Sequence, residues 1–411
     1  METTSKTLCS TLSADDAAKE LWDVIVVGAG LAGSTAAIGL AKSTRRVLLV
    51  EKSAFPRSKV CGACLNLDAV ASLKTAGTWA EVEALGGQTL VRYQLRHRRK
   101  SIEIPLPGGH AVSRAAMDTV LARQAILAGA EFLSETPVRL HTNTPSHLEL
   151  IDHQKHTYRA KVVVDASGLN AKAAPPTESS ESAPAWNDML ISNQSRIGLG
   201  TSWKPVHSSK AIQPGTIHIA VSANGYVGLV ITEGGNVNLA AAVDRHEVQR
   251  VGAAEACDEI LQSCDLNIGL EFQSVRFSGT TTLTRQRRVA GGHRLLYAGD
   301  SSGYVEPFTG EGMAWALRAG LGVVSFADQS IDRWTAETPL KWTKHLKRLI
   351  GPQKRRCRAI SKTLRHPSLV AISMNALSLL PSIGHFAVDH IQKAQPFPLP
   401  DHWPWDSNAA S

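Results

Sequence analysis

The sequence predicts a mixed α/β protein: a Rossmann-like parallel-sheet domain interleaved with an antiparallel-sheet domain, plus C-terminal helices. Three observations predict it. A glycine-rich turn sits between two short β-branched runs near the N-terminus. Strand-like runs broken by Gly and Asn fill the middle of the chain. The last part is helical in pattern and strongly basic.

Residues 22–27, Trp-Asp-Val-Ile-Val-Val, have the apolar, β-branched character of a buried parallel strand. Gly28 to Gly33 is a turn, and Ser34 to Ser43 carries small and apolar residues at helical spacing. Residues 46–51, ending at Glu51, form a second strand, so the unit reads βαβ. Residues 88–113 alternate as strands around Pro105, Pro107 and Gly108-Gly109. Met117 to Ala130 reads as a helix and Lys161 to Asp165 as another buried strand. Ala171 to Ala185 is polar and proline-bearing, a loop. Between 186 and 290, runs such as Thr216–Ser222 and Val237–Val243 predict an antiparallel sheet. Leu295–Ala298 returns to a buried strand and Gly312–Ala327 to a helix.

The expected organisation is a mobile lead over 1–20 and a nucleotide-binding fold in three parts, 21–85, 114–170 and 291–330. Two substrate-domain parts, 86–113 and 171–290, interrupt it, and a basic helical region and tail occupy 331–411.

Composition narrows the function classes. Of 411 residues, 43% are hydrophobic and 19% charged, as in an ordinary globular chain. Six scattered cysteines make no disulfide framework, so a reducing, cytoplasmic setting is expected. The first twenty residues lack the apolar core of a signal peptide, and no apolar run is long enough to span a bilayer. The net charge is +8, but Lys341 to His366 holds ten Lys or Arg and no acid, leaving −2 for the remainder. With no recognition motif beside it, this segment does not read as a nucleic-acid site. It predicts a solvated helical face, or peripheral contact with an anionic membrane or an acyl carrier through 341–366.

Gly28-Ala29-Gly30-Leu31-Ala32-Gly33 has the G-x-G-x-x-G spacing, and its strand–turn–helix context makes the match specific. Gly28 permits the tight turn, Gly30 lets a diphosphate approach the backbone, and Gly33 lets helix and strand pack closely. The helix N-terminus offers free N–H groups and a positive dipole to phosphates. Glu51, 18 residues after Gly33, can accept from ribose hydroxyls, which favours a free 2′-hydroxyl.

Two further segments carry a resemblance. Asp165-Ala166-Ser167-Gly168 ends a strand, and residues 299–312 read GDSSGYVEPFTGEG before a helix. With the glycine turn and Arg114 in SRAAMDTVLARQAILAGA, these motifs resemble the FAD-dependent monooxygenase superfamily of the p-hydroxybenzoate hydroxylase type. Within it, the chain is most similar to the geranylgeranyl-reductase-like branch. The resemblance implies non-covalent FAD and assigns roles. Asp300, after Gly299, would meet the ribityl chain. Pro307 to Gly312 would lie along the flavin ring, with backbone N–H groups of Gly310, Gly312 and Met313, around Glu311, at its electron-rich edge. Arg114 and Arg57 would contact the phosphates, near Lys52, and Val138 would meet the adenine through its backbone. Asp165 and Gly168 belong to the same cofactor set. No second glycine fingerprint lies between a strand and a helix, so NAD(P)H is expected as a transient electron donor.

Three departures shape the expectation. Gly303 stands where aromatic hydroxylases of the superfamily carry His. The W-x-W-x-I-P motif of flavin halogenases is missing, the tail's Trp403-Pro404-Trp405 having the wrong spacing. Cys61-Gly62-Ala63-Cys64 lacks the setting of a redox dithiol and a second ligand pair for zinc, so no metal is expected. The resemblance places Cys61 and Gly62, with Pro307, at the active site, while no side chain is identified as a general acid or base. His110, His218 and His293 read as core or surface histidines. Gly225–Val230 resembles a substrate-domain segment of the superfamily, with Gly228, Val230 and Ile231 in place of its later aromatic and proline positions, which suits a lipophilic substrate. The expected protein is an FAD-dependent oxidoreductase of a lipophilic or aromatic small molecule. Hydroxylation driven by NAD(P)H is the first reading, carbon–carbon double-bond reduction the second, and a non-catalytic flavin electron relay the third.

Overall fold

The computed structural model describes residues 7–170, 189–205, 211–269, 272–308 and 310–380, with isolated positions 382, 384, 388, 396 and 397 beyond them. The loop expected over 171–185 and the Trp403–Trp405 tail lie outside the described residues.

The strands that position the site are, in chain order, β1 (Leu21–Val27), β2 (Val47–Val50), β3 (Arg92–His97), β4 (Lys100–Pro105), β5 (Glu131–Leu133) and β6 (Thr157–Asp165). Then follow β7 (Ile197–Trp203), β8 (Thr216–Ser222), β9 (Gly225–Ile231), β10 (Val237–Val243), β11 (Ser278–Thr282) and β12 (Leu295–Tyr297). The helices used below are α1 (Leu31–Lys42), α2 (Arg114–Leu127), α3 (Ala253–Gln262), α4 (Gly312–Asp332), α5 (Thr338–Thr363) and α6 (Pro367–Leu379).

The first sheet runs β12-β6-β1-β2-β5, all parallel, with a short hairpin paired antiparallel to the start of β6. Its strands are covered on both faces, which explains their nearly continuous apolar runs. Val24 and Val26 pack on one side against Ala36, Ala37 and Leu40 of α1 and Ala319 and Val323 of α4. Ile25 and Val27 face the other side, toward Leu148, Leu150 and Tyr158. Each such side chain, once buried, contributes about 1.5–3 kcal/mol. Gly320 sets how closely α1 and α4 approach, because a Cβ there would lie 2.5 Å from the Ala32 carbonyl oxygen.

The second sheet runs β11-β7-β10-β9-β8-β3-β4 and is antiparallel except where β3 lies parallel to β8. It therefore draws strands from two separated stretches, 92–105 and 197–282. One face packs on α3, through Ala256, Cys257, Ile260 and Leu261. The other face turns toward the end of the parallel sheet.

Two boundaries differ from the sequence expectation. The lead over 1–20 contains a helix at Ala14–Lys19, capped by Ser13 and held by the Trp22 indole donating to the Ala17 carbonyl at 2.9 Å. Helix α2 begins at Arg114, not Met117, because Ser113 Oγ caps it by accepting from Ala116 N. The early start puts Arg114 in the first turn, where it reaches the glycine turn.

Candidate functional site

The parallel strands end together. The chain leaves β1 at Gly28, whose φ of +98° suits glycine, and a Cβ there would meet the Ala166 carbonyl oxygen at 2.6 Å. A Cβ on Gly33 would lie 1.8 Å from the Gly28 oxygen. Gly30 is the N-cap of α1 and supplies no side-chain acceptor, so the helix opens with uncapped N–H groups at Leu31 and Ala32.

Two arginines lean over this turn. A Cβ on Gly30 would sit 3.3 Å from an Arg57 terminal nitrogen and 3.6 Å from one of Arg114. Arg114 is held by Asp118 through two bonds, Nε at 2.8 Å and Nη2 at 2.7 Å. Asp118 is fully buried and also lies 3.2 Å from Arg57. Burial works against charge on Arg114, but Asp118 outweighs it and raises the guanidinium's pKa. Asp118 was not among the residues singled out from the sequence. Its signal was there, an acid four residues after Arg114 on one helical face, but Arg57 comes to it from a distant loop.

This geometry fits an FAD diphosphate. A helix N-terminus without a side-chain cap faces two guanidinium groups, which are held by the buried carboxylates of Asp118 and Glu51. Arg57 Nε is buried without a hydrogen-bond partner among the described residues, and an anion over Gly30 would satisfy it. The first of these groups would hold the diphosphate and the second would fix its position.

Glu51 closes β2 and is buried. Its carboxylate accepts from Ala29 N at 2.9 Å and Ser53 N at 3.2 Å, and lies 3.4 Å from Arg57. The acid thus ties down the glycine turn, with further lone pairs left for a ribose. Lys52 is exposed. Val138 is half-buried in the cluster under the far face of the sheet, beside Leu133, and does not line the cleft described below. Asp165 accepts from Ser167 N (2.9 Å) and Oγ (2.6 Å), and burial raises its pKa. Its backbone oxygen accepts from Ala298 N and Ser301 Oγ, which ties the end of β6 to the Gly299–Ser302 turn. Asp300 in that turn meets Lys59 Nζ at 3.1 Å, and Lys59 also comes close to Gly168.

A cleft opens between the two sheets. Gly30, Leu31, Ala32, Arg114, Asp300, Pro307, Gly310, Gly312 and Met313 form its cofactor side. The opposite wall is the second sheet, with Ile217, Ile219, Tyr226, Gly228, Ala240 and Ala242 on the face toward the cleft, while Leu229 and Ala241 turn to the α3 side. Val230 lies on the same face, in the cluster with Ile217, Ile219 and Tyr226, without lining the cleft itself. Cys61, Gly62 and Cys64 line the cleft between these walls. Cys64 is buried, which pushes its thiol pKa up, and both cysteines are free thiols. Gly310 has φ +75°, and a Cβ at Gly312 would lie 2.9 Å from the Tyr304 hydroxyl, so the loop into α4 tolerates little else. Glu311 precedes α4 with its carboxylate buried, 3.9 Å from Arg356.

The histidines stand apart. His218 bonds Gln94 at 2.7 Å and accepts from Gln213 N at 3.0 Å, with burial lowering its pKa to about 4. His110 stacks edge-on against Trp79, and His293 against Trp334. Among the described residues lining the cleft there is no histidine or glutamate, and the one aspartate, Asp300, is engaged by Lys59. No group of three or more His, Cys, Asp or Glu able to hold a metal occurs among them either.

Residues 23–174 match the family model for FAD dependent oxidoreductases. A menaquinone reductase of Mycobacterium tuberculosis is 38% identical over 135 residues, 30% of each protein. The conditioned medium factor receptor 1 of Dictyostelium discoideum is 25% identical over 334 residues, 74% of this chain and 62% of that one. In both cases the chain matches less than two thirds of the relative's length. A digeranylgeranylglycerophospholipid reductase of Methanothermobacter thermautotrophicus is 24% identical over 319 residues, covering 73% of this chain and 75% of that enzyme. Among solved structures, a flavoprotein/dehydrogenase from Cytophaga hutchinsonii superposes with a TM-score of 0.73 at 18% identity, covering 90% and 92% of the two chains. The flavin-dependent brominase Bmp2 reaches 0.70 at 16% identity, covering 90% and 94%, a likeness of fold. Residues 23–174 thus carry the sequence signature of FAD-dependent oxidoreductases, and the chain as a whole has the fold of the flavoproteins on which it superposes.

Proposed function

We propose that this chain is a flavin-dependent reductase that saturates a carbon–carbon double bond in a lipophilic, polyprenyl-like substrate, with NAD(P)H as electron donor. One observation carries this reading. The wall facing the cofactor side is mostly apolar, with Ile217, Ile219, Ala240, Ala242 and Leu283 beside the rings of Tyr93 and Tyr226. It holds no base that would ionise a phenol. Such a wall excludes water and grips an alkyl or prenyl chain by shape. The match to a reductase named for a digeranylgeranyl lipid, over three quarters of that enzyme, points the same way. The sequence alone placed hydroxylation first; the apolar wall and this match are what support placing reduction ahead of it.

When bound, the flavin supplies reversible hydride chemistry. The chain's own residues would do the rest. Arg57, Arg114 and the start of α1 would hold the diphosphate, and Asp300 the ribityl chain. The Gly310–Met313 backbone at the start of α4 would face the edge where negative charge gathers on reduction. Cys61, Gly62 and Pro307 would border the reacting carbon.

Hydroxylation is the second reading, and Tyr226 and Phe308 favour it. Their rings lie edge-on at 5.0 Å and both line the cleft, a geometry that can hold an aromatic ring. Mass spectrometry of products from reduced holoprotein, with a geranylgeranyl lipid and an alkylphenol, separates the two. A product with two added hydrogens, formed without oxygen, supports reduction. A product carrying one oxygen atom from O2 replaces it with hydroxylation. A flavin-loaded protein that changes neither substrate would leave the electron relay.

A further inference from the structure

Helix α6 presents two apolar faces. Val370 and Met374 point inward, in the cluster that includes the cleft-lining Ile217, Ile219, Tyr226 and Leu283. Leu369, Ile372, Ala376, Leu379 and the following Leu380 point outward at helical spacing and are exposed, Ile372 at 62% and Leu379 at 79%. The helix holds no charged residue over its whole length. Large exposed apolar side chains in a row mark a contact surface, not a solvated face.

What flanks the row identifies the contact. The β3–β4 hairpin tip carries Arg98, Arg99 and Lys100, all exposed, and Lys100 Nζ donates to Asn375 Oδ1 in the middle of α6. On the N-terminal side, α5 delivers exposed Arg358 and Lys362 just before the turn into α6. Cations thus border the apolar row on two sides. An interfacial helix needs this pairing: leucines and isoleucines that enter the acyl boundary, and basic residues at the level of anionic headgroups. An acidic protein partner would be read by the charges and would gain little from the row.

We propose that the outer face of α6, with the β3–β4 tip and the end of α5, docks on an anionic lipid bilayer, and that the substrate enters the cleft from that side. The proposal rests on the reading of the substrate as a lipophilic molecule. It moves the expected membrane contact from 341–366 as a whole to the end of that segment and the helix after it. Helix α5 links the surface to the site. Lys354 Nζ donates to the Gly303 carbonyl (2.7 Å), and Cys357 and Ser361 donate to that of Glu306, immediately before Pro307.

The test is flotation of the FAD-loaded protein with phosphatidylcholine vesicles, with and without phosphatidylglycerol, at low and high salt. The wild type is expected to float with the anionic vesicles at low salt. The double variant I372S/L379S alters two exposed side chains remote from the cofactor, so FAD content and melting temperature should hold. Its partitioning should fall by about tenfold or more, as burial of two aliphatic side chains requires. The variant R98Q/R99Q should lose a similar factor at low salt. No flotation of the wild type overturns the proposal. Flotation that salt abolishes but I372S/L379S leaves unchanged also overturns it, in favour of an acidic protein partner. Flotation with no chemical change in any lipid supplied would keep this surface and remove the substrate reading above.

Discussion

The residue on which the cofactor side turns is Asp118, fully buried and shared by Arg114 and Arg57. Replacing Arg114 by Ala strands most of that charge, and breaking a buried pair costs about 3 kcal/mol or more. Arg114→Ala should therefore lower the urea midpoint and weaken FAD binding together, as followed by unfolding and by flavin fluorescence. Gly30→Val should separate the two effects. Its side chain would occupy the space under both guanidinium groups, so FAD affinity should fall at least about tenfold, with a smaller effect on stability. Lys354 offers a pH test. Burial lowers its pKa to about 8 from the ordinary 10.5. Between those values the unfolded chain binds more protons than the folded one, so this group makes stability rise with pH across that window. The Lys354→Met variant should lack that rise in a series of thermal melts, and an unchanged slope would contradict the assignment. The glycines were legible in the sequence because strand, turn and helix surround them within thirty residues. For Asp118 only the pairing with Arg114, four residues away, was legible; its contact with Arg57 and that of Lys354 with Gly303 were not, because those partners lie far away in the chain.

At the scale of elements, the loop before α4 is fixed by a cluster the motif does not reveal. Arg196, immediately before β7, is fully buried and meets Glu306 at 3.2 Å and Asp244 at 3.3 Å, while Arg365 after α5 meets Asp244 at 3.1 Å. Burial raises the Glu306 carboxyl pKa, with Arg196 opposing. Antiparallel sheet, loop and C-terminal helix are thereby joined at one point. Arg196→Met should leave Glu306 buried against too little positive charge, costing about 3 kcal/mol or more. It should also broaden the bound-flavin absorbance bands by loosening Pro307–Gly312. Flavin bands as sharp as the wild type's would show that the cluster does not position this loop. The elements themselves were largely readable. Short apolar runs marked β1, β2 and β6, runs between Gly and Asn turns marked β8–β10, and the helix read from Gly312 is α4. The start of α2 was misjudged by three residues, since Ser113 caps it by a side-chain bond that apolar periodicity does not register.

For the whole molecule, the cleft follows from topology: the carboxyl ends of a parallel sheet meet the face of an antiparallel one, and the space between is lined by both. The small residues of that face give it depth. Gly228 faces the cleft, and a Cβ there would have its first neighbour 3.5 Å away, so the backbone accommodates a larger residue. Gly228→Leu should therefore keep FAD while raising the KM for a lipophilic substrate by about tenfold or more, since a filled pocket loses the burial that binds the chain. Gly228, one small residue of the cleft face, was legible in the sequence, but the chemistry was not. Hydride transfer to a double bond and hydroxylation of a ring both leave the reaction to the flavin, so neither imposes a side chain that a sequence would display.

The most direct test of the central claim, that the FAD site opens onto an apolar cleft, is a titration of the FAD-loaded protein with geranylgeraniol, followed in the flavin absorbance spectrum. The account expects a saturable shift of the flavin bands as the prenyl chain displaces water beside the ring, and a weakened shift in Gly228→Leu. A protein that binds FAD but whose flavin spectrum stays unchanged by any lipophilic ligand would contradict it.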